Sequence, residues 1–496
     1  MIHSSDEHSS QASPLSPEHL AALQACCPAL AQLALTLIAF REGPITPQSS
    51  QNLEEELQRH CREVGRCALE EALDSLEPDD PELLPEEITL SGTRYRRRFK
   101  SPHRVASCFG HFYLYRWLYE PREPGERCLF PLDLLLGLVA GTATPALASR
   151  VGRLVAQHTQ RGVLRLLKED CGLQWSHSLL RKVSKEVAAI ISGNREAAQV
   201  KQVLAWLKEA FRGRGPHQPV LAVGRDGIMT PICGQKPYQE ASVATMAVYD
   251  RCGNRLGTAY LGCMPQTLQK TLSRQLTGLI KGVLTGWKGQ LPVLVYLSDG
   301  GQTPEGYCEQ VLHKMRDPGR RGQRLSWQRV LDYYHAAGYV GKMAEALFGE
   351  TWEAQQWGRR MRRVLKQAGG LTRVLQSASY HRNQQDLRGK RTKEFWTAYN
   401  YLHKRRKYMD YAAYKAKGLP IGSGVTEAGC KVVVSQRLKL SGMKWDKQGG
   451  QVVLDLRVVW LSGVWAEAWN SHIVEPVNHN LDTYEGCLHP APAVAA

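Results

Sequence analysis

Three acidic residues, each close to glycine, are the candidates for chemistry in this sequence. Asp226 lies in VGRDGI, Asp299 in YLSDGG and Glu427 in PIGSGVTEAGCK. Carboxylate oxygens are the ligands that Mg²⁺ prefers, and a few acids can hold the ion together with substrate phosphates. Two such ions would activate an oxygen nucleophile and stabilise the charged transition state of phosphodiester cleavage or strand transfer. We therefore predict that these three acids are catalytic and hold Mg²⁺, for which Mn²⁺ could substitute.

Each of these acids also has an ordinary interpretation. A lone aspartate after a strand is commonly a cap or turn residue, and an acid in the first turn of a helix complements the helix dipole. Asp332 and His335, in DYYHA, form a second polar pair. Asp332 could be a fourth ligand or orient the site, and His335 could contact a phosphate. A satisfied structural hydrogen bond is the favoured interpretation of both.

The acids can act together only if the fold brings them together. PVLAVGRDGI reads as a strand ending on Asp226, followed by two strands, ASVATMAVYD and RLGTAYLGC, joined by a hairpin turn. A helix leads to a fourth strand, LPVLVYLSDGG, which ends on Asp299, and RVLDYYHAAGYV is predicted as a fifth strand. A right-handed crossover places the first and fourth strands parallel, so both aspartates emerge at one sheet edge. This order predicts an α/β ribonuclease-H-like core built on a mixed five-stranded sheet.

Residues 341–417 interrupt the α/β pattern with 18 Lys/Arg against six Asp/Glu. We predict an all-helical insertion whose basic faces lie along nucleic acid. Five of its tyrosines have helical spacing and are interpreted as core packing rather than as stacking platforms: Tyr399, Tyr401, Tyr408, Tyr411 and Tyr414. This insertion accounts for the long gap between the second and third acids.

The pattern predicts seven segments along the chain. They are an acidic, mainly helical region (1–90), a basic strand-rich module (91–140), a helical region with a candidate helix-turn-helix (141–215), the first part of the core (216–345), the helical insertion (346–416), the second part of the core (417–470) and a tail (471–496). The core would thus be preceded by a mainly helical DNA-binding region.

Charge is distributed unevenly between these segments. Residues 1–90 hold four Lys/Arg against 17 Asp/Glu, a net of −13, whereas the rest holds 60 against 30, a net of +30. So large a basic excess favours a nucleic-acid partner, double-stranded DNA above all, although solubility is the ordinary alternative.

Particular basic residues are candidates for contacts with the DNA backbone. They are Arg96 and Arg97 in GTRYRRRFKSPHR, Arg181, Lys182 and Lys185 on the second helix of the candidate helix-turn-helix, and Lys431, Arg437, Lys439 and Lys444 after the third acid. A solvated edge strand is the alternative for the first pair. A plain helix bundle is the alternative for the helix-turn-helix, where residues 131–212 are predicted to be wholly helical.

Thirteen cysteines without a CxxC pair indicate reduced thiols, and we predict no zinc site. The most apolar N-terminal run is preceded by acids and interrupted by Gln24, Pro28 and Gln32. That pattern predicts neither a signal peptide nor a membrane span, and hence a cytoplasmic protein.

These motifs together resemble a known family. VGRDG, YLSDGG, LDYYHAAGYV and the long PIGSGVTEAGCKVVVSQRLKLSGMKWDKQGG segment are similar to those of ISKra4-type transposases of bacterial insertion sequences, over about Ser91 to Trp469. The resemblance implies a DDE transposase that binds terminal inverted repeats, cuts there with Mg²⁺ and joins the freed ends to target DNA. By motif, Asp226, Asp299 and Glu427 correspond to the three family acids. It further implies a homo-oligomer on DNA, associated with the bacterial nucleoid.

The chain departs from the family pattern at two places. SDGGQTPEGY lacks the aromatic residue that usually follows the second acid, and only Cys108 and Cys128 stand near PLD, where many members carry cysteine pairs. Three alternatives stay open: a structure-specific nuclease or resolvase on the same core, a DNA-binding protein derived from a transposase without catalysis, and an enzyme of RNA-directed cleavage.

Overall fold

The computed structural model describes residues 21, 24, 27–234, 238–320, 322–385, 387–474 and 481–488. The chain divides into two compact units. The first comprises Met1–Val151, Gln160–Val183 and Glu475–Ala496, and the second Gly152–Thr159 and Ser184–Val474. None of the helices in the described residues combines the length and apolar character that crossing a membrane requires.

Helices and strands follow one another as a mixed α/β chain. Up to residue 212 they are α1 (Pro28–Glu42), α2 (Pro47–Asp74), β1 (Glu87–Leu90), β2 (Thr93–Ser107), β3 (Gly110–Pro121), α3 (Pro131–Leu135), α4 (Pro145–Gln157), α5 (Gln160–Cys171) and α6 (His177–Arg212). The strand-rich part then contains β4 (Val220–Pro231), β5 (Tyr238–Tyr249), β6 (Arg255–Cys263), α7 (Lys270–Gly286), β7 (Val293–Ser298), α8 (Gln302–Tyr307) and β8 (Trp327–Leu331).

The rest of the chain is helical. It contains α9 (Tyr333–Phe348), α10 (Trp352–Val364), α11 (Gly370–Gln384), α12 (Gly389–Lys404), α13 (Tyr411–Ala416), α14 (Gly424–Gly429), α15 (Gln436–Leu438), α16 (Lys447–Leu461), α17 (Trp465–Val474) and α18 (Asp482–Glu485). Two π-helical segments, Cys308–Leu312 and Cys430–Ser435, continue α8 and α14.

The second unit is built on a five-stranded mixed sheet with the order β6–β5–β4–β7–β8. β4 pairs antiparallel with β5 and parallel with β7, and β7 pairs parallel with β8. β7 is an almost continuous apolar run because helices cover both faces of a central parallel strand. The predicted strand order, with the first and fourth strands adjacent and parallel, is confirmed.

Two strand ends differ from the prediction. β4 does not end on Asp226, because its antiparallel ladder with β5 continues to Pro231. Its parallel pairing with β7 stops at Gly224, so Asp226 lies just past the point where the two strands separate. The fifth strand ends at Leu331 rather than continuing through YYHAAGYV, because Asp332 caps a helix that begins at the next residue.

The two faces of the sheet carry different helices. Leu221 and Val223 pack with residues of α6 and α7, whereas Val220 and Ala222 pack with residues of α9 to α13. The predicted insertion is helical in its described residues, but its first helix, α9, begins before residue 346. Its tyrosines pack in the core beneath it, with Tyr411 fully buried.

In the first unit, β2 is the middle strand of a three-stranded antiparallel sheet and not an edge strand. Its basic side chains have partners within the unit. Arg96 lies 2.9 Å from Glu86, and Arg97 donates to the carbonyl of Leu84 while its guanidinium lies 5.5 Å from the ring centre of Trp117. Arg96 and Arg97, the two residues predicted to contact phosphate here, are therefore paired with groups of their own unit.

The candidate helix-turn-helix is present as a helix pair, α5 and the start of α6, with Gly172 at φ +67° between them. Arg181 Nε donates to Gln160 at 3.3 Å and Lys182 Nζ donates to the Ala140 carbonyl at 2.9 Å, whereas Lys185 is exposed. The preceding stretch is not wholly helical, since 136–144 forms turns between α3 and α4. A role in DNA recognition stays a prediction.

The acidic N-terminal region closes the edge of this small sheet. Carboxylates of Glu70, Asp74 and Glu77 accept hydrogen bonds from the backbone N–H groups of alternate β3 residues at 2.9, 2.9 and 2.8 Å. The four-residue spacing of Glu70 and Asp74 on α2 matches the two-residue period of the strand, and Glu77 continues this match from the turn after α2. An edge strand whose N–H groups are occupied cannot pair with another chain, which gives these acids a structural role.

Glu77, the last of these acids, supplies a test. Burial raises its pKa to about 7, while hydrogen bonds from Tyr484 and Trp117 oppose the shift. A carboxyl with a raised pKa favours folding most below its unfolded value and loses that contribution as pH rises through about 7. Because the uncharged glutamine can accept the Trp117 N–H with its carbonyl and donate to the Tyr484 oxygen with its amide, we expect Glu77→Gln to stabilise the protein by about 1–3 kcal/mol at pH 8 and little at pH 5 in thermal unfolding. Exposed Glu71→Gln is the control; equal pH profiles for both variants would contradict this assignment.

Candidate active site

A close contact between α14 and β4 sets the position of the third acid. A Cβ atom added at Gly224 would lie 2.0 Å from Thr426 Oγ1, which itself hydrogen-bonds Thr245 Oγ1 at 2.8 Å. A Cβ at Gly429 would lie 3.0 Å from the Thr245 methyl group. Only residues without a side chain let the helix lie this close to the sheet. The helix that carries Glu427 therefore rests directly on the strand that carries the first acid.

Asp226 is held by two donors. Its Oδ1 accepts the Gly227 N–H at 2.7 Å, and its Oδ2 accepts the Cys430 thiol at 3.5 Å. Burial raises the pKa of Asp226, the Gly227 N–H opposes the shift, and the charge of Asp299 adds to it. Burial also raises the pKa of Cys430, so the thiol stays protonated and available as a donor.

Asp299 follows β7 directly, at the start of a tight turn. Its Oδ1 accepts the Gly301 N–H at 2.8 Å, and Gly300 adopts φ +80°, a conformation that favours glycine. The Asp299 carbonyl accepts the Tyr401 hydroxyl, and the Gly300 carbonyl accepts Arg405 at 2.8 Å. Contacts from the helical insertion thus reach both backbone carbonyls beside the second acid.

Glu427 lies in the first turn of α14, next to the buried carboxylate of Asp332. Ser423 Oγ lies 2.7 Å from Asp332 Oδ2 and 3.2 Å from Glu427 Oε1. Burial raises the pKa of Glu427, and Asp332 and then Asp226 raise it further. Ser423 occupies the N-cap position, but its hydroxyl bonds Asp332 instead of capping the helix. Thr426, in the first turn of the same helix, bonds Thr245 of β5.

The structure therefore brings the three predicted acids into one electrostatically linked group. Asp226 interacts with Asp299 and Glu427, and Glu427 with Asp332. Within the described residues, no three His, Cys, Asp or Glu side chains have the spacing of a ready-made metal site. His335 packs its ring against Tyr401, with centroids 5.7 Å apart, which supports the structural interpretation of this residue.

One predicted DNA contact after the third acid is wrong. Arg437 is only 1% exposed; its Nε donates to the Val155 carbonyl at 3.1 Å, while Arg457 donates to the Ala156 carbonyl at 2.6 Å. The two guanidinium groups satisfy carbonyls in the last turn of α4, where cations are favoured by the helix dipole. Lys431, Lys439 and Lys444 are exposed, as contacts with DNA would require.

Several site residues were missed in the sequence. A glycine inside an apolar strand often marks a close approach, and this signal could have identified Gly224. Glu240, whose charge adds to the raised pKa of Asp226, carries no such signal, and neither does Cys430. Both reach the first acid only through strand pairing and helix packing.

The chain matches no family model and no curated protein.

The Gly224 contact can be tested by adding one methyl group. We expect Gly224→Ala to lower the free energy of unfolding by about 1–3 kcal/mol, because α14 must move away from β4. Gly424→Ala is the matched control, since a Cβ there meets nothing within 4 Å. Adding Thr426→Ala should recover part of the loss, measured by denaturant unfolding. A Gly224→Ala variant as stable as the Gly424→Ala control would show that the close approach is not required.

Proposed function

We propose that this protein is a DDE transposase of the ISKra4 type, acting on the ends of an insertion sequence through Asp226, Asp299 and Glu427. The convergence of these acids, from positions far apart in the sequence, carries the proposal. The sheet order is compatible with a ribonuclease-H-like core, in which catalytic acids gather at the carboxyl ends of the central parallel strands. The motif resemblance points to the same three residues.

The basic helical insertion supports a nucleic-acid substrate. Exposed Arg359, Arg360 and Arg363 on α10 form no ion pair with any described acid. The Arg362 carbonyl accepts the Tyr333 hydroxyl at 3.0 Å, so the end of α10 lies beside the residue that follows Asp332. Positive charge next to an acidic site is suited to a polyanion whose phosphate must reach the acids.

The donor set fits Mg²⁺ chemically. Asp226, Asp299 and Glu427 supply hard carboxylate oxygens, and Mg²⁺ usually completes its shell with water and substrate phosphate. Asp226 and Glu427 have pKa values raised by burial and by neighbouring acids, and a divalent cation would offset this repulsion. When bound by these residues, Mg²⁺ would activate the attacking oxygen and stabilise the charge of the transition state.

The residues around the acids prepare the site. Gly227 and Gly301 N–H groups fix one oxygen of each aspartate, and Asp332 fixes the Ser423 loop from which α14 begins. Cleavage at terminal inverted repeats, joining to target DNA and assembly of copies on paired ends complete the proposal.

The mechanism predicts a separation of cleavage from binding. Asp226→Asn, Asp299→Asn and Glu427→Gln should each reduce DNA cleavage about 100-fold or more, because stabilisation of transition-state charge is lost. DNA affinity should change by less than about twofold, since the basic surface is unaltered. Cleavage would be mapped on a plasmid carrying the gene with its native flanking DNA, and affinity by titration of flank duplexes.

Glu353→Gln, an exposed carboxylate at the start of α10, is the matched control and should cleave like the wild type. Breaks at the borders of an inverted repeat, followed by joined ends, are the expected wild-type result. Breaks without joining would identify a nuclease, and tight binding without breaks a DNA-binding descendant. Wild-type cleavage by Glu427→Gln would overturn the proposed site.

A further inference from the structure

The second acid is positioned by the helical insertion as well as by its own strand. The loop after β7 presents two successive backbone carbonyls, those of Asp299 and Gly300. The Tyr401 hydroxyl on α12 donates to the first, and Arg405, just after α12, donates to the second at 2.8 Å. Arg405 Nε also lies 3.0 Å from Glu305 in α8, so one guanidinium joins the loop to the helix that follows it.

The loop has little alternative support at this point. Gly300 adopts φ +80°, and a Cβ there would lie 2.6 Å from Arg405 Nε, so the guanidinium packs directly on the backbone. In the described residues, the other hydrogen bonds of this turn are those of Asp299 Oδ1 with the Gly301 N–H and of the Gly301 carbonyl with the Glu305 N–H, and neither involves the carbonyls of Asp299 and Gly300. Rotation of the loop would break the Tyr401 and Arg405 bonds together, so these contacts fix the direction of the carboxylate.

Tyr401 and Arg405 are themselves held in an aromatic and cationic stack. The Tyr401 ring is stacked on Tyr339 of α9 with centroids 3.7 Å apart and planes 10° apart. Arg405 lies 4.3 Å from the Tyr401 ring centre, and Lys342 lies 4.6 Å from that of Tyr339. Cations over aromatic rings add attraction to the stack. Burial raises the pKa of Tyr401, so its hydroxyl remains a donor.

We infer that Tyr401 and Arg405 are positioning residues for Asp299, and that the helical insertion completes the acidic site instead of serving only as a DNA-binding surface. This inference rests on the proposed role of Asp299. It assigns to the insertion a contribution that its basic composition does not reveal.

Removing one oxygen tests the inference. Tyr401→Phe keeps the ring stack and loses only the bond to the Asp299 carbonyl. Tyr399→Phe is the matched control on the same helix, where the ring packs on Phe395 and His403. We expect Tyr401→Phe to weaken Mn²⁺ binding by about three- to tenfold, the size expected for one lost hydrogen bond, with Tyr399→Phe unchanged. The free Mn²⁺ signal in electron paramagnetic resonance, with full-length protein on flank duplex, measures this.

A second pair of variants distinguishes a positioning role from a loss of the fold. Arg405→Ala should weaken Mn²⁺ binding, and Arg405→Lys should recover part of it because lysine can still donate to the Gly300 carbonyl. Thermal unfolding of each variant shows whether the fold is kept. A merely structural role would lower thermal stability without separating Tyr401→Phe from Tyr399→Phe in the Mn²⁺ titration.

Asp299→Asn separates this inference from the proposed function. If Asp299→Asn loses Mn²⁺ binding while Tyr401→Phe and Arg405→Ala behave like Tyr399→Phe, the positioning role is wrong and the proposed acid is kept. If Asp299→Asn binds Mn²⁺ and cleaves like the wild type, the proposed site itself is wrong and the inference fails with it.

Discussion

The hydrogen bonds to the buried carboxylate of Asp332 are the interactions on which the rest of the second unit depends. It is fully buried and accepts hydrogen bonds from the Tyr334 N–H at 2.9 Å, the Ser423 N–H at 3.2 Å and the Ser423 hydroxyl at 2.7 Å. Its own N–H continues the sheet by donating to the Ser298 carbonyl at 2.9 Å. One residue therefore joins the end of β8, the start of α9 and the loop before α14. Each donor left unsatisfied would cost about 1–3 kcal/mol, which keeps the three elements together.

Much of this arrangement could be predicted from local sequence. Apolar runs with turn signals between them predicted the five strands, and the handedness of the crossover predicted which of them are neighbours. Asp226 and Asp299 were recognisable because each precedes glycine at the end of a predicted strand, and Glu427 because it follows a glycine-rich turn. Local sequence could not show that β4 continues past Asp226. Its parallel pairing with β7 stops at Gly224, whereas its antiparallel pairing with β5 continues to Pro231. The sequence favoured a structural hydrogen bond for Asp332 but could not identify Ser423 as its partner, which lies 91 residues further along the chain.

Net charge was a weak guide to which side chains could contact a nucleic acid. The basic excess after residue 90 includes guanidinium groups that never face solvent, such as Arg225, Arg437 and Arg457. Arg225 is held by Gln269 and Ser273 on the opposite face of the sheet from the acids, and no described carboxylate pairs with it. Conversely, several N-terminal acids bond to backbone N–H groups. Counting charges indicates a partner class, but burial decides which side chains can meet that partner.

The acidic site is not stable because of interactions among its acids. Asp226 is repelled by both Asp299 and Glu427, and the neighbours Asp332 and Glu240 add negative charge. The fold holds them together through strand pairing, the contact of Gly224 with α14, backbone N–H donors and the side chains of the insertion. A fold that keeps like charges close leaves the site with an unfavourable energy that a bound cation would relieve by neutralising the acids. In the proposed function, a substrate phosphate, itself negative, would need both that cation and the basic face of α10 nearby. Substrate and metal should then each strengthen the binding of the other.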